Sequence, residues 1–382
     1  MIKGCYKLWV MLMISSLLTG CWDYKDVNRR NIRLSVGVDK VDDKIEFIGE
    51  NTNLLGEQQK GGEKIQIPTP SYYIASGNSL EEIKEKLDAS TPLEDFSGAM
   101  RVVVFGKGYA EDGIESYINR INYLTYLRKS LLIVVSKEAP RELFQRQVVN
   151  DIAIGYAIEN TIRQLSENGR CVYITAQEVQ ANIQNKDIGY ILPYVGIEDD
   201  IIKHIGFVIM KDGKMVGIVS NEESNGFLYL LLKKAVDRKA ISGVGNKDNL
   251  YSVRITLKKR KIKTNYIDKK ININIDLKFT LQLQYQYKTK FLNEHIIKEL
   301  EDEVSKEVEK EVLHAIDLSQ KEFKSDIFEF AKYFKAQNPK KYKEINWKEE
   351  YPNANINLNI ETKFSDINLI NINSKDEQYK IE

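Results

Sequence analysis

The strongest pattern along the chain is a strict alternation, "ININIDLKFTLQLQY". It sets Ile271, Ile273, Ile275, Leu277, Phe279, Leu281, Leu283 and Tyr285 at period two. Successive side chains of an extended strand point to opposite faces, so this stretch predicts one long strand, straight or bulged, with one buried face. "MRVVVFG" and "KSLLIVVS" are unbroken apolar runs of strand length and predict strands buried inside a sheet. "IRLSVGVDKVDDKIEFIGE" has two extended runs around an Asp-rich turn, which reads as a hairpin. In "GFVIMKDGKMVGIVS" the pair Asp212-Gly213 between apolar runs is a stronger hairpin signal. "SYYIAS", "NINLNIETKF" and "INLINI" also look extended.

Helical periodicity falls between these runs. Ser79 followed by Glu82 is a capping box that opens a helix to about Asp88. Asp112 to Glu115 starts another, with Ile114, Ile118, Ile121 and Leu124 on one face. Pro140 suits the first turn of a third. Further helices are predicted near 150–167 and 176–184, the second capped by Thr175 with Glu178. Ser220 to Glu223 heads a helix through "GFLYLLLKKAV". The longest helical segment runs from about 293 to 336. Its first stripe is Ile297, Leu300, Val304, Val308, Val312 and Ala315; Phe323, Ile327, Phe330 and Phe334 continue it rotated, so a bend or break is expected near 317–325. Glycines and prolines at 54–70 mark a loop.

Strand and helix alternate up to about residue 200 and then form separate blocks. The expected fold class is α+β: several mixed α/β domains on antiparallel or mixed sheets with flanking helices, and a long helix in the C-terminal domain. The expected organisation is a leader at 1–20, a mixed α/β domain at 21–200 and a C-terminal α+β region at 201–375.

The leader has its own pattern. Lys3 and Lys7 precede an apolar run from Leu8 to Leu18, too short for a hydrocarbon core that takes roughly 20 residues to cross. Leu18-Thr19-Gly20-Cys21 then resembles a lipobox. That resemblance implies cleavage before Cys21 and acylation of its thiol; two acyl chains hold a protein on a membrane where one is marginal.

Composition narrows the chemistry. Lys and Arg number 56 against 55 Asp and Glu in 382 residues, so no sustained basic field points to nucleic acid. The cysteines are Cys5, Cys21 and Cys171. Loss of the first and acylation of the second leave Cys171 without an intramolecular partner, so packing must hold the fold. Cys171 reads as a small buried apolar residue. His204, His295 and His314 lack metal-site spacing, and no HExxH, CxxC or GxSxG occurs. Asp39, Asp42 and Asp43 lack the glycine and closing glutamate of a calcium loop and read as a turn. "GEQQKGGEK" reads as a flexible loop. "KKRKIK" at 258–263 reads as a charged edge strand, or as a contact for anionic headgroups. No catalytic, cofactor or metal site is expected, and binding or assembly is favoured over turnover.

Four stretches carry a family resemblance. "GCWDYKDVNRRNIRLSVGVDK" resembles the mature start of the Ger(x)C lipoproteins, matching at Cys21, Trp22, Asp23, Asp26, Gly37 and Asp39. "RVVVFGKGYAEDGIESYINRI", the segment "LPYVGIEDDIIKHIGFVIMKDGKMVGIVSNEESNGFLYLLLKK" and "INWKEEYPNANINLNIETKF" are similar to that family in the same order. Where the family has a tight arginine cluster, this chain has the more separated Arg120 and Arg128. The resemblance implies several mixed α/β domains, usually three, and hence a further division near 250. It also implies a non-enzymatic C subunit of a spore nutrient germinant receptor. Its implied partners are two integral-membrane subunits, an A-type and a transporter-like B-type. Its implied place is the outer face of the cytoplasmic membrane, the spore inner membrane, held by a lipid on Cys21. The alternative weighed against it is a solute-binding lipoprotein that delivers a small molecule to a transporter.

Overall fold

The computed structural model describes residues 30–52, 70–146, 151–199, 201–245, 249–288 and 292–366. Cys21, the glycine-rich loop and "INLINI" lie outside them. In chain order the first elements are β1 (Arg30–Val41), β2 (Lys44–Thr52), β3 (Ser71–Gly77), α1 (Leu80–Ser90), β4 (Glu94–Phe96), β5 (Val102–Gly106), α2 (Lys107–Asp112) and α3 (Glu115–Tyr123). Next come β6 (Leu132–Ser136), α4 (Pro140–Phe144), α5 (Ile154–Glu167), α6 (Ala176–Gln184), β7 (Tyr190–Glu198), β8 (Ile201–Lys211) and β9 (Lys214–Ser220). These nine strands form one sheet in the order β3-β2-β1-β5-β6-β7-β8-β9, with β4 added beside β1. β1, β5, β6 and β7 run parallel at its centre, and antiparallel hairpins flank them.

The apolar runs explain the burial. In β5, Val102 and Val104 enter one core while Val103 and Phe105 enter the core on the opposite face. β6 divides in the same way, Leu132 and Val134 against Ile133 and Val135. A strand covered on both faces needs no polar alternation. α1, α2, α3 and α6 cover one face; α4 and α5 lie on the other.

The second set is α7 (Asn225–Leu231), β10 (Val236–Ser242), β11 (Leu250–Ile267), β12 (Lys270–Gln286), α8 (Glu294–Asp317), α9 (Phe330–Gln337), α10 (Pro339–Tyr342), α11 (Trp347–Glu350) and β13 (Asn355–Asp366). β10 to β13 form a four-stranded sheet in sequence order. β12 is the long alternating strand, bulged where it pairs with β11, and its odd-numbered Ile and Leu residues are buried. β13 pairs with β12 in parallel, and Asn355, Asn357 and Asn359 donate across to Asn272, Asn274 and Asp276 on the polar face. The long helix ends at Asp317, followed by a π turn at Leu318–Glu322 and a break before α9. The molecule is therefore α+β, with mixed and antiparallel sheets, flanking helices and a long C-terminal helix.

The hairpin β8–β9 completes the first sheet, and β10 pairs with β11 in the second. Some helices differ from expectation. Helix α2 was not expected, and α3 starts after Ile114 rather than at Asp112. α7 begins after Ser224 and stops at Leu231, short of the Lys-Lys-Ala-Val tail. Arg260 of β11 stops it by donating to the carbonyls of Tyr229 and Leu232 at 3.0 and 2.9 Å.

One apolar core joins the two sheets, running from Val102 and Ile158 through Phe227 to Ile275 and Val308. Close approach makes this possible: a Cβ on Gly226 would lie 2.1 Å from the carbonyl oxygen of Glu311. Beside this core sits Asp326, 1% exposed. Its carboxylate accepts from Phe330 N–H at 3.0 Å, Ala331 N–H at 2.6 Å and Trp347 Nε1–H at 3.2 Å, and its carbonyl accepts from Gly189 N–H at 3.0 Å. Burial pushes its pKa up to about 7 against the pull of those donors. Asp326→Ala orphans three buried donors, so the expected loss is roughly 3 kcal/mol, read as a lower urea midpoint at constant slope.

Candidate functional site

The parallel strands place their N-terminal ends together, and a large cavity lies there. Arg30 opens β1, and Ser35 of β1 pairs with Val102 of β5, which pairs with Leu132 of β6. A cleft of about 690 Å³ opens beside this end. Its floor is Phe47, Ile83 and Met100, with Arg33 and Tyr117; its rim includes Arg30, Arg120 and Tyr126. Arg33 is buried and fully engaged. It meets Asp95 at 2.5 Å and Asn51 at 3.2 Å, and its guanidinium lies 5.2 Å from the Phe47 ring centre. Arg30 meets Glu94 at 2.9 Å and Arg120 approaches Glu81 at 3.8 Å.

Met100 is a shared wall, and beyond it lies a second cleft of about 430 Å³. Arg101, Arg128 and Arg163 line it with Ser130, Tyr173 and Thr175 around the buried Glu159. Glu159 accepts from Arg163, from Arg101 at 3.4 Å and from Tyr173 at 3.0 Å. Arg101 stacks 4.3 Å from the Tyr156 ring and Arg163 4.9 Å from Tyr173. Burial, then the charge of Glu159, pushes the Tyr173 phenol up to about 12, so it stays a donor. Three guanidiniums around one carboxylate leave an excess of positive charge facing solvent. This arrangement can hold anionic groups.

The residues singled out by sequence are scattered. Asp39 is a helix cap: it accepts from Tyr109 N–H at 3.2 Å at the start of α2, and a Cβ on Gly106 would lie 2.0 Å from its carboxyl carbon. A Cβ on Gly37 would lie 2.3 Å from the Pro140 ring. The Gly37-x-Asp39 motif is thus packing and capping. Asp42 and Asp43 form the hairpin turn at φ 49° and 59°. His295 and His314 pair separately, with Glu299 and Glu223. Among the described residues no group of three or more His, Cys, Asp or Glu side chains is placed to hold a metal ion. In the stretch 258–263 the lysines are exposed, and the backbone just beyond is sealed by Gln337, which accepts from Thr264 N–H at 2.7 Å and donates to Ile262 O at 3.1 Å. That favours the edge-strand reading.

Sequence did not foretell that Cys171 Sγ lies 3.4 Å from His204 Nε2. The pair is not arranged for nucleophilic catalysis. Cys171 has no solvent access, and burial pushes its thiol far above the ordinary range. Burial, helped by Arg170, pulls His204 down to about 4. A neutral imidazole beside a protonated, enclosed thiol generates no thiolate. The arginine cleft was also missed, because its cations come from three distant segments.

The chain resembles known proteins over nearly its whole length. The model described as "Spore germination protein N-terminal domain" matches residues 23–197, and "Spore germination B3/ GerAC like, C-terminal" matches residues 205–368. Three relatives come from Bacillus subtilis (strain 168). YfkR, provisionally named a spore germination protein, is 29% identical over 150 residues, 38% of this chain and 39% of that one. Spore germination protein A3 is 22% identical over 277 residues, 70% and 71% of the two chains. Spore germination protein KC is 24% identical over 209 residues, 52% and 51%. The matched stretch thus spans about two fifths of the first relative and half of the third. The crystal structure of the GerBC protein shares the fold, with a TM-score of 0.56 and 16% identity over 86% of this chain and 96% of that one. No helix among the described residues is long and apolar enough to cross a membrane.

Two outcomes test the Cys171–His204 reading. Cys171 should resist N-ethylmaleimide in the folded chain and react once the chain is unfolded; rapid labelling of the native protein would refute it. The unfolded histidine binds its proton near 6.5 and the folded one near 4. Stability is therefore complete above that window and lost as pH falls through it, by at most about 3 kcal/mol. Asp326, raised to about 7, acts in the opposite sense over the same range and equally in both chains, so His204 is read as a difference: the urea midpoint of His204→Gln should lie below that of the unaltered chain at pH 7, and the gap should narrow by pH 5.

Proposed function

Because this chain belongs to the spore germination B3/GerAC-like family, we propose that it is a non-enzymatic lipoprotein subunit of a nutrient germinant receptor. In this reading Cys21 carries the lipid and the folded body stands on the outer face of the cytoplasmic membrane, the spore inner membrane. It assembles with two integral-membrane subunits, an A-type and a transporter-like B-type, and helps couple nutrient binding to germination through protein contacts.

The observation that carries this reading is the order and extent of the family match. Both models fit, one after the other, across the two sheets. Relatives named for spore germination align over as much as 70% of the chain. The fold supports a contact role over a carrier role. A solute carrier would be expected to present two like halves that open around a ligand. Here the sheets have nine and four strands, and one apolar core runs through both. A body so joined suits the transmission of a contact from one end to the other.

Germination of spores lacking this gene, followed as loss of optical density, tests the role. The expected result is loss of the response to some nutrients, with a receptor-independent trigger still effective. An unchanged response to every nutrient, in a strain stripped of its other receptors, would exclude it. Cys21→Ala should release the chain from the membrane and weaken the same responses. Calorimetry with amino acids and sugars should show no binding to the isolated chain; tight binding would favour the carrier.

A further inference from the structure

The loop between α3 and β6 has an unusual distribution of side chains. In "YLTYLRKS", residues 123 to 130, Leu127 is buried and Leu124 half-buried, yet Tyr123 is 83% exposed and Tyr126 56% exposed. The loop is fixed: Lys129 Nζ donates to the carbonyls of Ile121 and Leu124, closing the end of α3. Two tyrosines are thus held outward on a built turn, with exposed Arg128 two residues beyond Tyr126. Scattered exposed apolar residues need no explanation. Paired aromatics on a fixed loop beside a cationic cleft are a different case.

Position adds to this. The loop leads into β6, parallel to β1 through β5, so it lies at the end where Arg30 begins the described chain. Arg30 and Tyr126 line the same cleft. Fully extended, the segment from Cys21 to Arg30 reaches at most about 30 Å. A lipid on Cys21 therefore keeps this end of the molecule within about 30 Å of the bilayer. Charge agrees with the placement. Glu94 and Asp95 are taken up by Arg30 and Arg33, while Arg101 and Arg163 share Glu159. Arg128 adds a further cation to the face.

We infer that this end of the first sheet is a contact face for an anionic lipid surface. Tyr123 and Tyr126 sit at headgroup level, where a ring with a polar tip is favoured. Arg128, with Arg101 and Arg163 behind it, meets lipid phosphates. The tether then does more than retain the protein: together with this face it fixes the orientation of the body. The inference rests on anchorage at Cys21 as proposed above.

The test supplies the anchor chemically and so separates the two. The chain from residue 21 onward is coupled through Cys21 to maleimide lipid in vesicles of phosphatidylglycerol or of phosphatidylcholine; Cys171 is enclosed and stays unmodified. Hydrogen exchange is followed at residues 123–130. Exchange there should slow by about five-fold or more on phosphatidylglycerol relative to phosphatidylcholine. Tyr123→Ala with Tyr126→Ala, and Arg128→Glu alone, should abolish the difference and leave exchange elsewhere unchanged. Equal exchange on both vesicles would overturn the inference, as would protection seen only with an integral-membrane partner present. Acylation in cells is read independently, by fatty-acid labelling of Cys21. Its absence would refute the anchor and leave the vesicle result standing.

Discussion

Asp326 is almost sealed from water, yet groups from three parts of the chain converge on it. Its carboxylate takes the first N–H groups of α9 and the indole of Trp347, while its carbonyl takes Gly189, just before β7. The first sheet, the break after the long helix and the C-terminal aromatic cluster are thereby fixed to one another. A buried carboxylate is costly unless its oxygens are occupied. Here α9 and Trp347 occupy the carboxylate, while the bond from Gly189 to the main-chain carbonyl ties the same residue to the first sheet, so the joint favours one relative placement of the two. Trp347 also stacks with Tyr351 and leans on Phe334, which extends the joint into a packed aromatic wall.

The same device recurs. Glu50 of β2 is buried and accepts from Ile154 and Gly155 N–H at 2.7 and 2.9 Å, capping α5 from another element. Asp39 of β1 caps α2. Each helix end lies against the sheet where water cannot satisfy its N–H groups, and a strand supplies the carboxylate. Gly155 and Gly106 allow the close approach, since a Cβ at either would strike Ser35 or Asp39. Side chains that look like acid or metal chemistry in the sequence are therefore part of the framework.

This explains which features the sequence made legible. Local signals survive folding: the capping box of Thr175 and Glu178 and the Asp212-Gly213 turn appear as read, and the alternation of β12 holds through Leu283, with Tyr285 turned out to solvent beyond a bulge. Ser79 also caps α1, although Glu82 reaches back to Asn78 rather than to Ser79. Non-local signals were not legible. α2 carries a glycine at 108 and has no local cap, so its propensity is poor until Asp39 arrives from β1. α7 ends where Arg260 arrives from β11, which no helical pattern encodes. The arginine cleft needs Arg101, Arg128 and Arg163, which only the parallel order of β1, β5 and β6, with α5 packed across them, brings together. The proposed contact face depends on the same long-range placement, so no local pattern announces it.

β13 has a consequence for the time course of folding. It is a parallel partner, so its strand neighbour β12 lies on the far side of α8, α9 and the aromatic cluster in sequence. Parallel pairing across such a crossover cannot begin from a turn and incurs loop closure first. The register that aligns Asn355, Asn357 and Asn359 with Asn272, Asn274 and Asp276 forms only after the segment from β12 through β13 has been synthesised. Until then β12 keeps an open edge, and the second sheet is the part of the nascent polypeptide most exposed to mispairing with a neighbouring chain.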